Sequence, residues 1–154
     1  LADALLLYTD PEPDSLPKIS EFKTTRKVEF ADVDQAGIVH FSRFFIFMET
    51  AEHEFLRSLG TSVHSEWDDM KIGWPRLKAS CEYVGPARFE DLLQIRVTIL
   101  RKGKKSMTYG FEFTRGADLI AKGEMTSACC SLNGETMKAI VIPAWIADQI
   151  EESK

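Results

Sequence analysis

Hydrophobic and polar positions along this chain change period at a few sharp points. Phe22, Thr24, Arg26, Val28 and Phe30 alternate with Lys23, Thr25, Lys27 and Glu29. That period of two predicts a strand with Val28 and Phe30 facing inward. Residues 32–40 then read as a loop, in which Gly37 is free to take a positive φ. Beyond it, Phe44, Met48, Ala51, Phe55 and Leu59 recur at helical spacing. They predict one long helix over residues 41–59, stopped by Gly60. With Phe41, Phe45, Phe47 and Leu56 added, the apolar arc is wider than one stripe, so more than one neighbour should cover it. A curved sheet on one side and a partner subunit on another would do so.

Residues 61–74 show no regular period and read as an irregular connection. Alternation returns at Leu77, Ala79, Cys81 and Tyr83, is broken by Gly85-Pro86, and resumes at Leu93, Ile95, Val97 and Ile99. The basic stretch 101–106, around Gly103, predicts a hairpin turn into a strand carrying Met107, Tyr109, Phe111 and Phe113. A long strand over 119–132, a hairpin at Asn133-Gly134, a last strand over 137–142 and a short helix over 144–150 behind Pro143 complete the pattern. The order is strand, long helix, then about five antiparallel strands, which is an α+β layer architecture. Residues 1–20 are acidic and punctuated by Pro11, Pro13 and Pro17. They read as an extension, with one short turn at 4–8, ahead of a single domain over 21–154.

Composition narrows the partners. The net charge of -5 over 154 residues gives no bulk attraction to nucleic acid or an anionic membrane. No apolar run approaches the roughly 18 residues of a membrane span. The opening LADALLLY lacks a basic n-region, which argues against a secretory signal. Cys81, Cys129 and Cys130 form no C-x-x-C, so neither a disulfide framework nor a metal site is expected. They read as free thiols in a reducing cytoplasm.

The chemistry concentrates where strand meets helix. Asp32-Val33-Asp34 with Gly37 opens like a calcium loop, but Ala36 and Arg43 stand where oxygen ligands belong. Phosphotransferases that begin D-x-D need alternating parallel strands and helices, which this chain lacks. Asp32 is expected to cap the loop and helix start. Asp34 lies at the mouth of a helix N-terminus, where unpaired N–H groups and the helix dipole favour negative charge. Those donors can hold a developing oxyanion while the carboxylate attacks a carbonyl carbon or activates water. That pair suffices for acyl transfer from a good leaving group such as a thiol. His40 adjoins the turn and could orient Asp34 or fill space. No nucleophile elbow supports a serine triad. Glu49 and Glu52 read first as a solvated helix face, and His53 and His64 as surface or packing residues. Arg101, Lys102, Lys104 and Lys105 suit either a solvated hairpin tip or a phosphate-bearing ligand.

At these residues the chain resembles a known family. F-x-D-x-D-x-x-G-I-V-H-F over 30–41, F-M-E-T-A-E-H-E-F-L-R-S-L-G over 47–60 and Y-V-G-P-A-R-F-E-D-L-L over 83–93 are similar to the hot-dog-fold acyl-CoA thioesterases. The likeness is to the 4-hydroxybenzoyl-CoA branch and reaches the Tol–Pal-associated enzymes. It implies a hot-dog fold, with one long central helix wrapped by a curved antiparallel sheet of about five to six strands. It also implies hydrolysis of an acyl-CoA by Asp34 without a cofactor, with the Phe41 N–H opening the oxyanion site and His40 beside it. Gly37, Phe44, Phe45 and Glu49 would line the substrate, and Lys102, Lys104, Lys105 and Ser106 would meet the CoA phosphates. A homodimer or homotetramer, cytoplasmic and without membrane insertion, completes what it implies. The Tol–Pal-associated enzymes usually carry histidine one position later, where this chain has Phe41. The alternatives are a hydratase or dehydratase pairing His40 with Glu49, and a non-catalytic acyl-CoA-binding module.

Overall fold

The computed structural model describes residues 16–154. The strands are β1 (Glu21–Lys27), β2 (His64–Trp67), β3 (Met70–Gly73), β4 (Arg76–Tyr83), β5 (Leu92–Lys102), β6 (Ser106–Arg115), β7 (Asp118–Ala128), β8 (Cys130–Ser131) and β9 (Lys138–Ala139). The helices are α1 (Arg43–Ser58) and α2 (Ala144–Ala147). Strands β1-β5-β6-β7-β4 form a five-stranded sheet and β2-β3-β8-β9 a second sheet of four, with every pair antiparallel.

Alternation along the central strands builds the floor on which α1 lies. Leu93, Ile95, Val97 and Ile99 of β5 and Met107, Tyr109, Phe111 and Phe113 of β6 are buried on one face. From α1, Phe44, Phe47, Met48, Ala51, Phe55 and Leu56 bury against them. Gly123 of β7 leaves room for the helix, since a Cβ there would overlap the Met48 sulfur. The expected central helix over an antiparallel sheet is therefore present, as a hot-dog arrangement. None of the described helices is long and apolar enough to cross a membrane.

Several boundaries differ from the sequence expectations. The first strand stops at Lys27; Val28 is buried as expected, but Phe30 is 78% exposed. The chain leaves the sheet there in a tight turn, Phe30–Asp32, and Phe30 instead meets Phe89 edge-on at 5.8 Å. The stretch read as irregular, 61–74, contains the β2–β3 hairpin. Its turn residues, Asp68 and Asp69, both have positive φ, a conformation that short polar side chains tolerate. The strand expected over 119–132 breaks at Cys129, whose N–H turns away to the Lys105 carbonyl. Beyond that break the chain enters the second sheet. The last strand and the last helix are both shorter than expected, and α1 starts at Arg43, two residues after Phe41. Of the extension expected over 1–20, residues 1–15, with the turn at 4–8, lie outside the described residues. Within them, Ile19 bridges Ile150 in parallel.

Candidate active site

The loop between β1 and α1 is held from both ends. An antiparallel bridge joins Val33 and Val39. Inside it, the Asp34 N–H donates to the Ile38 carbonyl and the Gly37 N–H to the Asp34 carbonyl, both at 2.9 Å. Gly37 closes this turn at φ +76, which a side chain would resist. Asp32 pins the loop to the helix. It is fully buried, and its Oδ1 accepts from Arg43 Nε at 2.7 Å and Nη2 at 2.6 Å. Its Oδ2 accepts the Glu29 N–H at 2.8 Å, with Arg26 at 3.7 Å. The capping role expected of Asp32 is thus a buried ion pair.

Asp34 has different surroundings. It is half-buried, and its Oδ1 accepts the Ala36 N–H at 2.8 Å. Its Oδ2 has no partner among the described residues. Asp34 borders a cavity of about 440 Å³, walled by Phe41, Phe44, Tyr83, Val84, Pro86 and Ala87. Asp34 is the only acid in that lining, which is otherwise apolar or aromatic. At the helix start, the Ser42 N–H points to His40 Nδ1 at 3.3 Å and the Arg43 N–H to the His40 carbonyl at 2.9 Å. The Phe41 N–H donates to no acceptor among the described residues. One carboxylate oxygen and one main-chain donor, both unpaired, thus belong to residues lining the same apolar cavity.

Of the residues singled out from sequence, the structure brings Asp34, Phe41 and Phe44 to this cavity. Gly37 shapes the turn beside it, and Phe45 packs half-buried against the core. His40 does not line the cavity; its Nδ1 faces Ser42 Oγ at 2.7 Å and its ring lies against Phe41 at 4.4 Å. Glu49 stands outward, 3.9 Å from Arg76.

The basic hairpin lies elsewhere. Tyr83 pairs with Ala121 and Ser106 with Ala128, seven residues further along β7, so about 23 Å of strand separates hairpin from cavity within one chain. Lys102 is turned inward: its Nζ donates to the carbonyls of Ala147 at 3.0 Å and Ile150 at 2.9 Å, closing the end of α2. Lys104 and Lys105 are exposed, and Ser106 starts β6.

Glu52 overturns its expectation as a solvated residue. It is fully buried, ion-paired to Arg76 and hydrogen-bonded by Ser127 Oγ at 3.0 Å. Burial raises its carboxyl above the ordinary value, outweighing the opposing pull of Arg76. Sequence reading missed Tyr83 and Val84 as site residues. The signal was present, because the alternation of β4 puts Tyr83 on the helix side and Gly85-Pro86 ends the strand there. A larger trough of about 680 Å³ on the outer sheet face is lined by Glu124 and by Glu21, Arg96, Glu112 and Lys122, the last four joined in ion pairs.

Residues 36–122 match the family described as thioesterase superfamily, a match that begins two residues after Asp34. A putative esterase of Aquifex aeolicus is 30% identical over 127 residues, covering 82% of this chain and 95% of that protein. The 4-hydroxybenzoyl-CoA thioesterase of Pseudomonas sp. is 25% identical, covering 77% of this chain and 89% of that one. Among solved structures, a gentisyl-coenzyme A thioesterase superposes with a TM-score of 0.72 at 30% identity, covering 81% of this chain and 98% of its own.

Proposed function

The chain belongs to the thioesterase superfamily, and from that premise we propose that it hydrolyses an acyl-CoA thioester with Asp34 as the catalytic carboxylate. The observation that carries this reading is the pairing of the partner-free Asp34 Oδ2 with the unpaired Phe41 N–H around one apolar cavity. The acyl group occupies the cavity that Phe44, Tyr83 and Val84 wall together. The thioester oxygen accepts the Phe41 N–H, at the positive end of α1. Asp34 then either attacks the carbonyl carbon or takes a proton from a water that attacks it. By either route the carbon–sulfur bond breaks and the CoA thiolate leaves; after direct attack, water then cleaves the acyl–Asp34 anhydride and restores the carboxylate. One water is consumed, and the products are a free acid and CoA.

The protein is read as a homodimer or larger homo-oligomer. Strand β4 is an unpaired edge with large apolar side chains left open: Leu77 is 64% and Tyr83 45% exposed. A second copy would cover that edge and close the cavity. The CoA phosphates are assigned to exposed cations. Lys104 and Lys105 are one pair, and Arg88, directly after the cavity residue Ala87, is nearer in the chain. Three free thiols suit a reducing, cytoplasmic compartment. The hydratase alternative finds little support, because no hydrogen bond joins His40 to Glu49 among the described residues.

The test is free-thiol release from a panel of aryl- and fatty-acyl-CoA esters. Turnover of at least one ester, with release of its free acid, supports the reading. Tight binding of the esters without turnover would make the chain a binding module instead.

A further inference from the structure

We propose that Tyr83 is a positioning residue for the reaction: its phenol, bonded to the Phe41 carbonyl, keeps the Phe41 N–H aimed into the cavity. This rests on the reading of Asp34 and Phe41 given above.

Tyr83 is the last residue of β4, paired with Ala121. Its hydroxyl donates to the Phe41 carbonyl at 2.9 Å, tying the edge strand to a helix start 42 residues away in sequence. Its ring stands edge-on to Phe44 at 5.5 Å, so the same side chain also walls the cavity. Around residue 41 the main chain is held by further bonds. Val39 N–H donates to the Ala87 carbonyl at 2.8 Å, His40 N–H to the Asp32 carbonyl at 2.9 Å, and the His40 carbonyl accepts Arg43 N–H.

Phe41 itself has little to hold it. Its side chain is 61% exposed, and the helix N-cap, Ser42, makes no side-chain capping bond. The peptide group before Phe41 is fixed through His40, and the group after it is fixed by the Tyr83 hydroxyl. The unpaired donor belongs to the first of these groups, and the Phe41 Cα joins it to the second, so the two bonds together set its direction. Losing the clamp on one side frees the Phe41 carbonyl to swing, and a donor displaced by a fraction of an ångström stabilises an oxyanion less. Burial raises the Tyr83 phenol above its ordinary value, so it stays protonated and able to donate at neutral pH.

The experiment is steady-state kinetics on Tyr83→Phe, which keeps the wall and removes the donor. Because the acyl wall is retained, KM should stay within about twofold of wild type. The effect should fall on kcat, about tenfold down, which is less than the ~100-fold typical when an oxyanion donor itself is removed. A residue that only packs would move KM or the melting temperature and leave kcat of the folded enzyme alone. An unchanged kcat overturns the proposal. Asp34→Asn is assayed alongside. An inactive Asp34→Asn with a normal Tyr83→Phe rejects the role of Tyr83 only, whereas an active Asp34→Asn rejects the underlying site. Should Tyr83→Phe fail to fold, Tyr83→His, which retains a ring donor, is compared with Tyr83→Leu. Higher kcat in the histidine variant supports the proposal and equal kcat overturns it.

Discussion

The Arg43 guanidinium closes on the fully buried carboxylate of Asp32, with Nε and Nη2 at 2.7 and 2.6 Å from one oxygen. Two residues on, Asp34 keeps an oxygen free beside the cavity. The two acids of one short motif therefore sit differently, one anchoring the loop and the other bordering the cavity where we propose the substrate binds. Asp32→Asn should lower stability by about 2–4 kcal/mol. This lies toward the lower end of what breaking a buried pair costs, because the Arg43 side chain keeps 29% exposure. Denaturant melts read that loss, while kcat per folded molecule should change far less than in Asp34→Asn. An Asp32→Asn variant of normal stability and no activity would reverse the two roles.

Glu52 should leave a signature in the pH dependence of stability. Its carboxyl is raised above the ordinary 4.5, so between that value and its folded value the native state holds a proton that the unfolded chain has released. Its contribution to stability is therefore greatest at low pH and declines as pH rises through that window. Comparison with Glu52→Gln isolates the effect, because other carboxylates titrate in both proteins. The melting temperature of wild type minus that of Glu52→Gln should shrink as pH rises from about 4.5. A difference that grows with pH would mean that Arg76 outweighs burial.

Strand periodicity made the central layer legible. Leu93 to Ile99 and Met107 to Phe113 lie buried where their alternation put them, and α1 follows its helical spacing. What the sequence hid depends on contacts across the chain. Phe30 continues the apolar alternation of β1, yet the pull of Arg43 and Glu29 on Asp32 ends the strand early and turns Phe30 outward. Glu52 reads as a surface acid because its partners, Arg76 and Ser127, lie 24 and 75 positions away. The D-x-D motif drew attention to Asp34 and Phe41, but nothing local tied Tyr83 to them. That link is made only when the end of β4 reaches the start of α1.

The open edge of β4 sets an expectation for assembly. Light scattering at micromolar concentration should give at least twice the 17.4 kDa of one chain. Leu77→Asp places a charge on that edge strand and should shift the population toward monomer and reduce turnover with it. A wild-type protein that remains monomeric would reject both the interface and the closed cavity.

The phosphate contacts can be apportioned by charge removal. Arg88→Ala and the pair Lys104→Ala with Lys105→Ala should each raise KM for acyl-CoA at low salt with little change in kcat. The effect should fade as salt screens exposed charges. Lys102→Ala should instead lower stability, since its ammonium holds the carbonyls of Ala147 and Ile150. A KM unmoved by either set would take that set out of the site.

The central claim is that the chemistry belongs to Asp34. Asp34→Asn preserves the shape of the loop and an acceptor for the Ala36 N–H while removing the nucleophile or base. Its single-turnover rate of thiol release, measured beside that of Glu49→Gln, is the direct test. The rate should fall by at least about 100-fold in Asp34→Asn, as expected for loss of a positioned acid–base or nucleophilic group, with melting temperature held or raised. Glu49→Gln should stay within about tenfold of wild type, since Glu49 stands outward beside Arg76 and is not part of the cavity lining. Near-normal release by Asp34→Asn together with an inactive Glu49→Gln would contradict the account and move the chemistry to the helix acid.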